Sequence, residues 1–259
     1  MTIVLLPPSE SKVSPESGPK LNLDDIAFAE LSGKRSETIA GLIKLSSGSK
    51  TKALSALGIS KKQEFELVRN QNLQDAPTAP AWQIYSGVLF EALDAGSLTA
   101  AQLKNLCALT YVQSALFGLV SFADLIPAYR LSGDSVLPKI GSLPKFWGSA
   151  CTELLTQEHG LIIDLRSGTY VKLGPLPVES NSVVPKILQR MKSGPPKVVS
   201  HHNKATKGRI LRAIAQSKSK LKSIDDLARI ITELGADVEI KTPAKVAGHV
   251  VLEVVVDVL

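Results

Sequence analysis

From Ser180 to Lys222 the chain carries eleven lysines and arginines and not one aspartate or glutamate. They are Lys186, Arg190, Lys192, Lys197, Lys204, Lys207, Arg209, Arg212, Lys218, Lys220 and Lys222. A segment without acids of its own must hold its charged heads at the surface, against a partner, or beside acids from elsewhere in the fold. The other residues set 19 cations against 24 acids, so the net charge of +6 originates in this stretch. That asymmetry points to a polyanionic partner.

Inside the stretch, Lys197 to Ser200 reads as a short buried strand, because two β-branched residues follow the Pro195-Pro196 break. His201 to Ile214 then reads as a turn running into a helix. Ile210, Leu211 and Ile214 form its apolar face, with Lys204, Lys207, Arg209 and Arg212 on the first turns and other faces. Where a strand end meets a helix start, backbone N–H groups and cations converge on phosphate.

A chain of 259 residues can bury a large core, as one large domain or two unequal ones; here it is read as a single unit, 1–259. Cys107 and Cys151 sit among apolar or small residues and read as reduced packing groups. Ile3 to Leu6 lacks a cationic lead-in and is cut by Pro7-Pro8, so it reads as a strand and not a signal peptide. Val250 to Leu259 is broken by Glu253 and Asp257 and is too short to span a bilayer. The expectation is a soluble, cytoplasmic protein with no membrane partner.

Along the chain, Thr2 to Leu6 is expected to be a buried strand whose following loop offers Ser9, Glu10 and Lys12 at a position where α/β sheets bind ligands. Residues 22–45 read as helical, with a loop at Ser32-Gly33. Lys50 to Ala56 reads as a helix ending at Leu57-Gly58-Ile59, and Ser60 with Gln63 forms a capping box opening another through Val68. This helix-hairpin-helix-like unit, about 46–72, puts Gly58, Ser60, Lys61 and Lys62 where they can meet a DNA phosphate. A Schellman-capped corner has the same letters. Trp82 to Gly87 reads as a strand or turn leading into a helix from Val88, and Leu103 to Gln113 reads as strand and turn. Tyr129 and Arg130 fall on a loop after Pro127, a helix opens at Pro144 to Trp147, and Leu161 to Leu165 is a strand running into Arg166-Ser167-Gly168. Ser223 caps another helix, and Ala236 to Lys241 pairs with His249 to Val256 in a final hairpin.

Several separated pieces of the sequence resemble the YaaA peroxide-stress protein family. They are Leu5 to Lys12, Tyr85-Ser86-Gly87, Ser114 through Tyr129-Arg130-Leu131, Phe146-Trp147-Gly148, Leu161 to Tyr170, and Asn203 to Gly208. In order and spacing they span nearly the whole chain. The resemblance implies an α/β fold, a mixed sheet with surrounding helices, with a helix-hairpin-helix-type element and a positively charged cleft. It also implies DNA binding and a role in limiting iron-driven oxidative damage. The chain departs from that pattern at Ser121-Phe122, where the family carries Arg-Pro, and at Lys207, where it carries Arg. The second change keeps the charge and loses the bidentate fork.

Four histidines at no telling spacing single out no triad around Ser9, Ser86 or Ser200. His201 and His202 have no neighbouring carboxylate or thiol, so they read as cleft-lining groups and not as metal ligands. No cofactor or metal is expected. The sequence reading is therefore DNA binding through phosphates, by Lys12, the Gly58 to Lys62 hairpin, Arg130, Lys204, Lys207, Arg209 and Arg212. Tyr85, Tyr129 and Trp147 are available to stack on a base. The alternative is an enzyme acting on a nucleotide or other phosphorylated small molecule. Its cleft would be lined by Ser9, Glu10, Tyr85 to Gly87, Tyr129, Trp147, Asp164, Ser167, His201 and His202, with Glu10, Asp164 or a histidine as acid or base and Lys204, Lys207 and Arg209 as the phosphate clamp.

Overall fold

The computed structural model describes residues 1–198, 200–241 and 249–257, and the side chains of all of these except 200–202. Seven strands form one mixed sheet: β1 (Ile3–Leu6), β2 (Thr110–Ser114), β3 (Gly118–Ser121), β4 (Ile162–Asp164), β5 (Ser182–Gln189), β6 (Asp237–Lys241) and β7 (Val250–Val256). Their spatial order is β6-β7-β5-β4-β1-β2-β3. The five inner strands run parallel, and each edge strand is antiparallel to its neighbour. β1 is an unbroken apolar run because all four of its residues are buried, as a strand covered on both faces requires.

Among the described residues ten α-helices surround the sheet: α1 (Ser32–Ser46), α2 (Lys50–Leu57), α3 (Phe65–Gln71), α4 (Ala81–Ile84), α5 (Val88–Leu93), α6 (Ala100–Leu109), α7 (Leu143–Thr156), α8 (Thr169–Lys172), α9 (Ser200–Gln216) and α10 (Ile224–Thr232). From β1 the chain leads to β2 on one side, and from β4 it leads to β5 on the other. The order therefore reverses between β1 and β4, and a crevice opens outside their carboxyl ends.

Residues 50–71 fold as α2, a corner, a 3-10 turn at Lys61–Gln63, and α3. Gly58 adopts the left-handed conformation, φ 61°, while Ile59 N–H donates to Leu54 O at 3.0 Å and Gly58 N–H to Ser55 O at 3.2 Å. This is a Schellman cap, and both helices pack on α1.

Several expected elements differ. Lys197 makes only an isolated bridge to Gln189 and Val198 is 58% exposed, so no buried strand forms at Lys197 and Val198; two prolines without N–H donors precede them. The turn expected from His201 is already helix, since α9 starts at Ser200. The Leu103 to Gln113 run is helix as far as Leu109, because Thr99 and Gln102 make a capping box that starts α6. Likewise Ser32-Gly33 is the first turn of α1 and not a loop, and Trp82 to Ile84 lie in α4 and not in a strand or turn. Among the described residues no helix is long and apolar enough to cross a membrane.

Candidate functional site

A pocket of about 400 Å³ opens outside the carboxyl ends of β1 and β4. Its walls come from five segments: Pro7 to Ser11 after β1, Ser86 to Phe90 at the start of α5, Ser132 with Asp134, Ser167 to Tyr170 after β4, and Lys204 on α9. The walls are tied to one another. Ser9 Oγ donates to Ser11 O at 2.6 Å and accepts from Ser86 N–H at 3.0 Å. The Glu10 carboxylate forms an ion pair with Arg130 and accepts from the Tyr170 hydroxyl at 3.2 Å. The Thr169 hydroxyl donates to Asp134. α9 reaches this wall because Gly208 lets it touch α5: a Cβ there would lie 2.1 Å from Leu89 O.

Behind the walls is a buried polar layer. Asp164 holds Arg166 in a fork, with Nε to Oδ1 at 2.9 Å and Nη2 to Oδ2 at 2.8 Å; Arg166 Nη1 donates to Gln113 Oε1 at 2.9 Å and Gly174 O at 2.7 Å. Ser114 Oγ, Tyr129 Oη and Tyr85 Oη form a chain with contacts of 2.7 and 3.1 Å. Burial raises both phenols, Tyr85 to about 12 and Tyr129 well above the usual value. Lys12 Nζ donates to Ser9 O at 2.7 Å, and burial lowers its ammonium to about 7. Lys207 Nζ donates to Leu165 O and Arg166 O at 2.9 and 3.2 Å, and burial lowers it to about 8.

Of the residues singled out in the sequence, Ser9, Glu10, Ser86, Gly87, Ser167 and Lys204 line the pocket. Lys12, Tyr85, Tyr129, Arg130, Asp164 and Lys207 stand directly behind it. Trp147 does not line it: the indole is fully buried, donates from Nε1 to Ala115 O at 3.0 Å and closes over Gly118. Gly58, Ser60, Lys61 and Lys62 lie outside the pocket, although the far end of α3 reaches its back through Asn70, whose amide exchanges two hydrogen bonds with the Arg130 backbone. The His201 and His202 side chains lie outside the described residues.

The basic stretch does not form one surface. Lys186 pairs with Glu253 at 2.8 Å, and Arg190 with Asp257 at 2.7 Å and also with Asp237. Arg212 caps the carboxyl end of α5, donating to Leu93 O and Asp94 O at 2.8 Å each. Arg209 lines a different, apolar cavity with Ile231, Leu234 and Asp257. Lys218, Lys220 and Lys222 surround Leu221, whose carbonyl accepts from Thr2 Oγ1 at 2.6 Å, so they lie at the amino end of β1. α9 spans about 25 Å between these two edges.

The sequence reading missed Ser132, Asp134, Thr169 and Arg166. The first two follow Tyr129-Arg130 at short range, and Arg166 sits two residues after Asp164, close enough to suggest a loop-end pair. Thr169 carries no local signal.

Fold and site define an α/β protein that presents a polar pocket at the reversal point of a largely parallel sheet. The chain belongs to the peroxide stress protein YaaA family, whose model matches residues 1–235. It is 42% identical to a UPF0246 protein of Corynebacterium efficiens, over 94% of this chain and 97% of the relative. A UPF0246 protein of Corynebacterium glutamicum is 39% identical, over 92% and 94%, and one of Streptomyces coelicolor 35%, over 94% of each.

Proposed function

We propose that this member of the peroxide-stress family binds DNA, holding it by phosphates at the carboxyl edge of the sheet, and so limits iron-driven damage. The observation that carries the reading is Lys204, an exposed cation at the rim of a pocket lined by serine, threonine and tyrosine hydroxyls. Among the described residues it has no ion-pair partner. Hydroxyls and lysines are the usual phosphate contacts, and none of them reads a base there, so binding is expected to be weakly sequence-specific and salt-dependent. The footprint is smaller than the charge count suggests, because Lys207 is buried behind the pocket and Arg209 and Arg212 point elsewhere; Lys61 and Lys62 would extend it.

A second reading is favoured by the pocket's size, which suits a nucleotide held as a free ligand, with Glu10 as acid or base. Gel-shift titrations of duplex, single-stranded and gapped DNA across a salt series, run beside a nucleotide thermal-shift screen, separate the two. DNA retention that weakens steeply with salt is the expected outcome. Stabilisation by a nucleotide without DNA retention transfers the conclusion to the second reading.

A further inference from the structure

Two lysines stand one layer behind the pocket, each anchoring one of its loops. Lys12 binds the carbonyl of Ser9 and lies 4.1 Å from the centre of the Tyr129 ring; Lys207 binds the carbonyls that precede Ser167. Among the described residues neither ammonium has a carboxylate within 4.0 Å. The acids nearby are committed elsewhere: Glu10 to Arg130 and Tyr170, Glu66 to Arg69, and Asp164 to Arg166. Tyr85 and Tyr129, which also face Lys12, stay protonated and neutral.

Arg35 shows what a structural buried cation looks like in this fold. Its guanidinium donates to the carbonyls of Ile26, Ala27, Phe117 and Leu119. Lys12 uses one of its three donors on an oxygen and Lys207 two. A buried ammonium so poorly compensated either loses its proton or waits for an anion. The lowered values, about 7 and about 8, place both groups near that balance.

We propose that the pocket takes a terminal phosphomonoester, a dianion balanced from behind by Lys12 and Lys207 and at the rim by Lys204. This rests on the pocket being a phosphate site. A continuous strand offers only singly charged diesters, whereas a terminal phosphate, with its second pKa near 6, brings two charges to one point and enters a pocket end-on. Lys12 and Lys207 act as positioning residues through their field, without touching the ligand. The phosphate has two possible sources, the end of a DNA strand or a nucleoside monophosphate.

The test is an anisotropy titration of the full chain with single-stranded oligonucleotides differing only in a 5′-phosphate, a 3′-phosphate or hydroxyl ends, beside thermal shifts with nucleoside monophosphates. At pH 7.5 a phosphate end is expected to bind at least tenfold tighter than hydroxyl ends, and the advantage to shrink toward pH 9 as the amines lose protons. Lys12→Met and Lys207→Met each reduce the advantage several-fold. Lys12→Arg and Lys207→Arg keep it and flatten its pH dependence, and the comparison of ends on the unaltered protein needs no variant at all. Equal affinity for phosphate and hydroxyl ends overturns the proposal while leaving backbone binding to DNA intact. An advantage undiminished in folded Met variants also overturns it. Stabilisation by monophosphates without retention of any oligonucleotide upholds the terminal phosphate and removes DNA as its source.

Discussion

At its amino end α9 brings Lys204 to the pocket rim and Lys207 beneath it, whereas the chain leaving its carboxyl end carries Lys218, Lys220 and Lys222 to the opposite edge of the sheet. The same residue type, a few turns apart, meets different surroundings. At the pocket end Lys207 is enclosed by the loop that follows β4 while Lys204 stands exposed at the rim; at the far edge all three are exposed. Charge dense along the chain is therefore not dense in space, because a helix of this length separates its two ends by about the thickness of the domain.

The comparison breaks most sharply at Asp164. Asp164→Ala leaves Arg166 buried without its counter-ion and strips Lys207 of its nearest negative charge. A loss of about 3–5 kcal/mol is expected in urea unfolding. Replacing Lys218, Lys220 and Lys222 together with alanine should stay within about 0.5 kcal/mol per site. Similar losses in both variants would mean that the two ends are not different in kind.

Next in size is a pH effect confined to the pocket end. Lys12 and Lys207 have folded values below their unfolded ones, so between them the unfolded chain binds more protons and stability rises with pH. The ligand-free protein should gain about 3–4 kcal/mol between pH 7 and pH 9. The gain should shrink in Lys12→Met, read from denaturation midpoints at the two pH values. A flat profile would show that neither ammonium is desolvated as the geometry requires.

Smaller still is the effect of Arg212. Its fork closes the carboxyl end of α5, so Arg212→Ala should cost about 1 kcal/mol of stability and leave DNA affinity unchanged. Loss of affinity without loss of stability would return Arg212 to the binding surface.

What was legible in the sequence follows from the range of the signals. β1 and β4, the final hairpin, the Ser223 cap and the Gly58 corner were all readable, because apolar runs and caps are local. The loops holding Ser9, Ser86 and Ser167, which line the pocket, were singled out because strand ends and turn residues mark them. Hidden from the sequence were the sinks for charge: Glu253 for Lys186, Asp257 for Arg190, and the end of α5 for Arg212. Those partners are brought in by sheet register and helix packing, which charge counting does not contain. Burial of Trp147 was hidden in the same way, since its cover is the β2–β3 hairpin at Gly118.

The finest discriminator is the salt dependence of DNA binding, because it counts phosphate contacts rather than stability. If Lys204 touches a phosphate, Lys204→Ala should lower the slope of log affinity against log salt by about 0.9 on duplex or about 0.7 on single strands. Arg209 faces another cavity, so Arg209→Ala should leave the slope unchanged, as should the triple replacement at Lys218, Lys220 and Lys222. Lys61 and Lys62 decide how far the footprint extends. If their joint replacement lowers the slope by about two contacts' worth, the α2–α3 corner and the pocket hold one strand between them. If only Lys204 counts, the contact is local to the pocket, and a strand end or single nucleotide is the better description of what enters it.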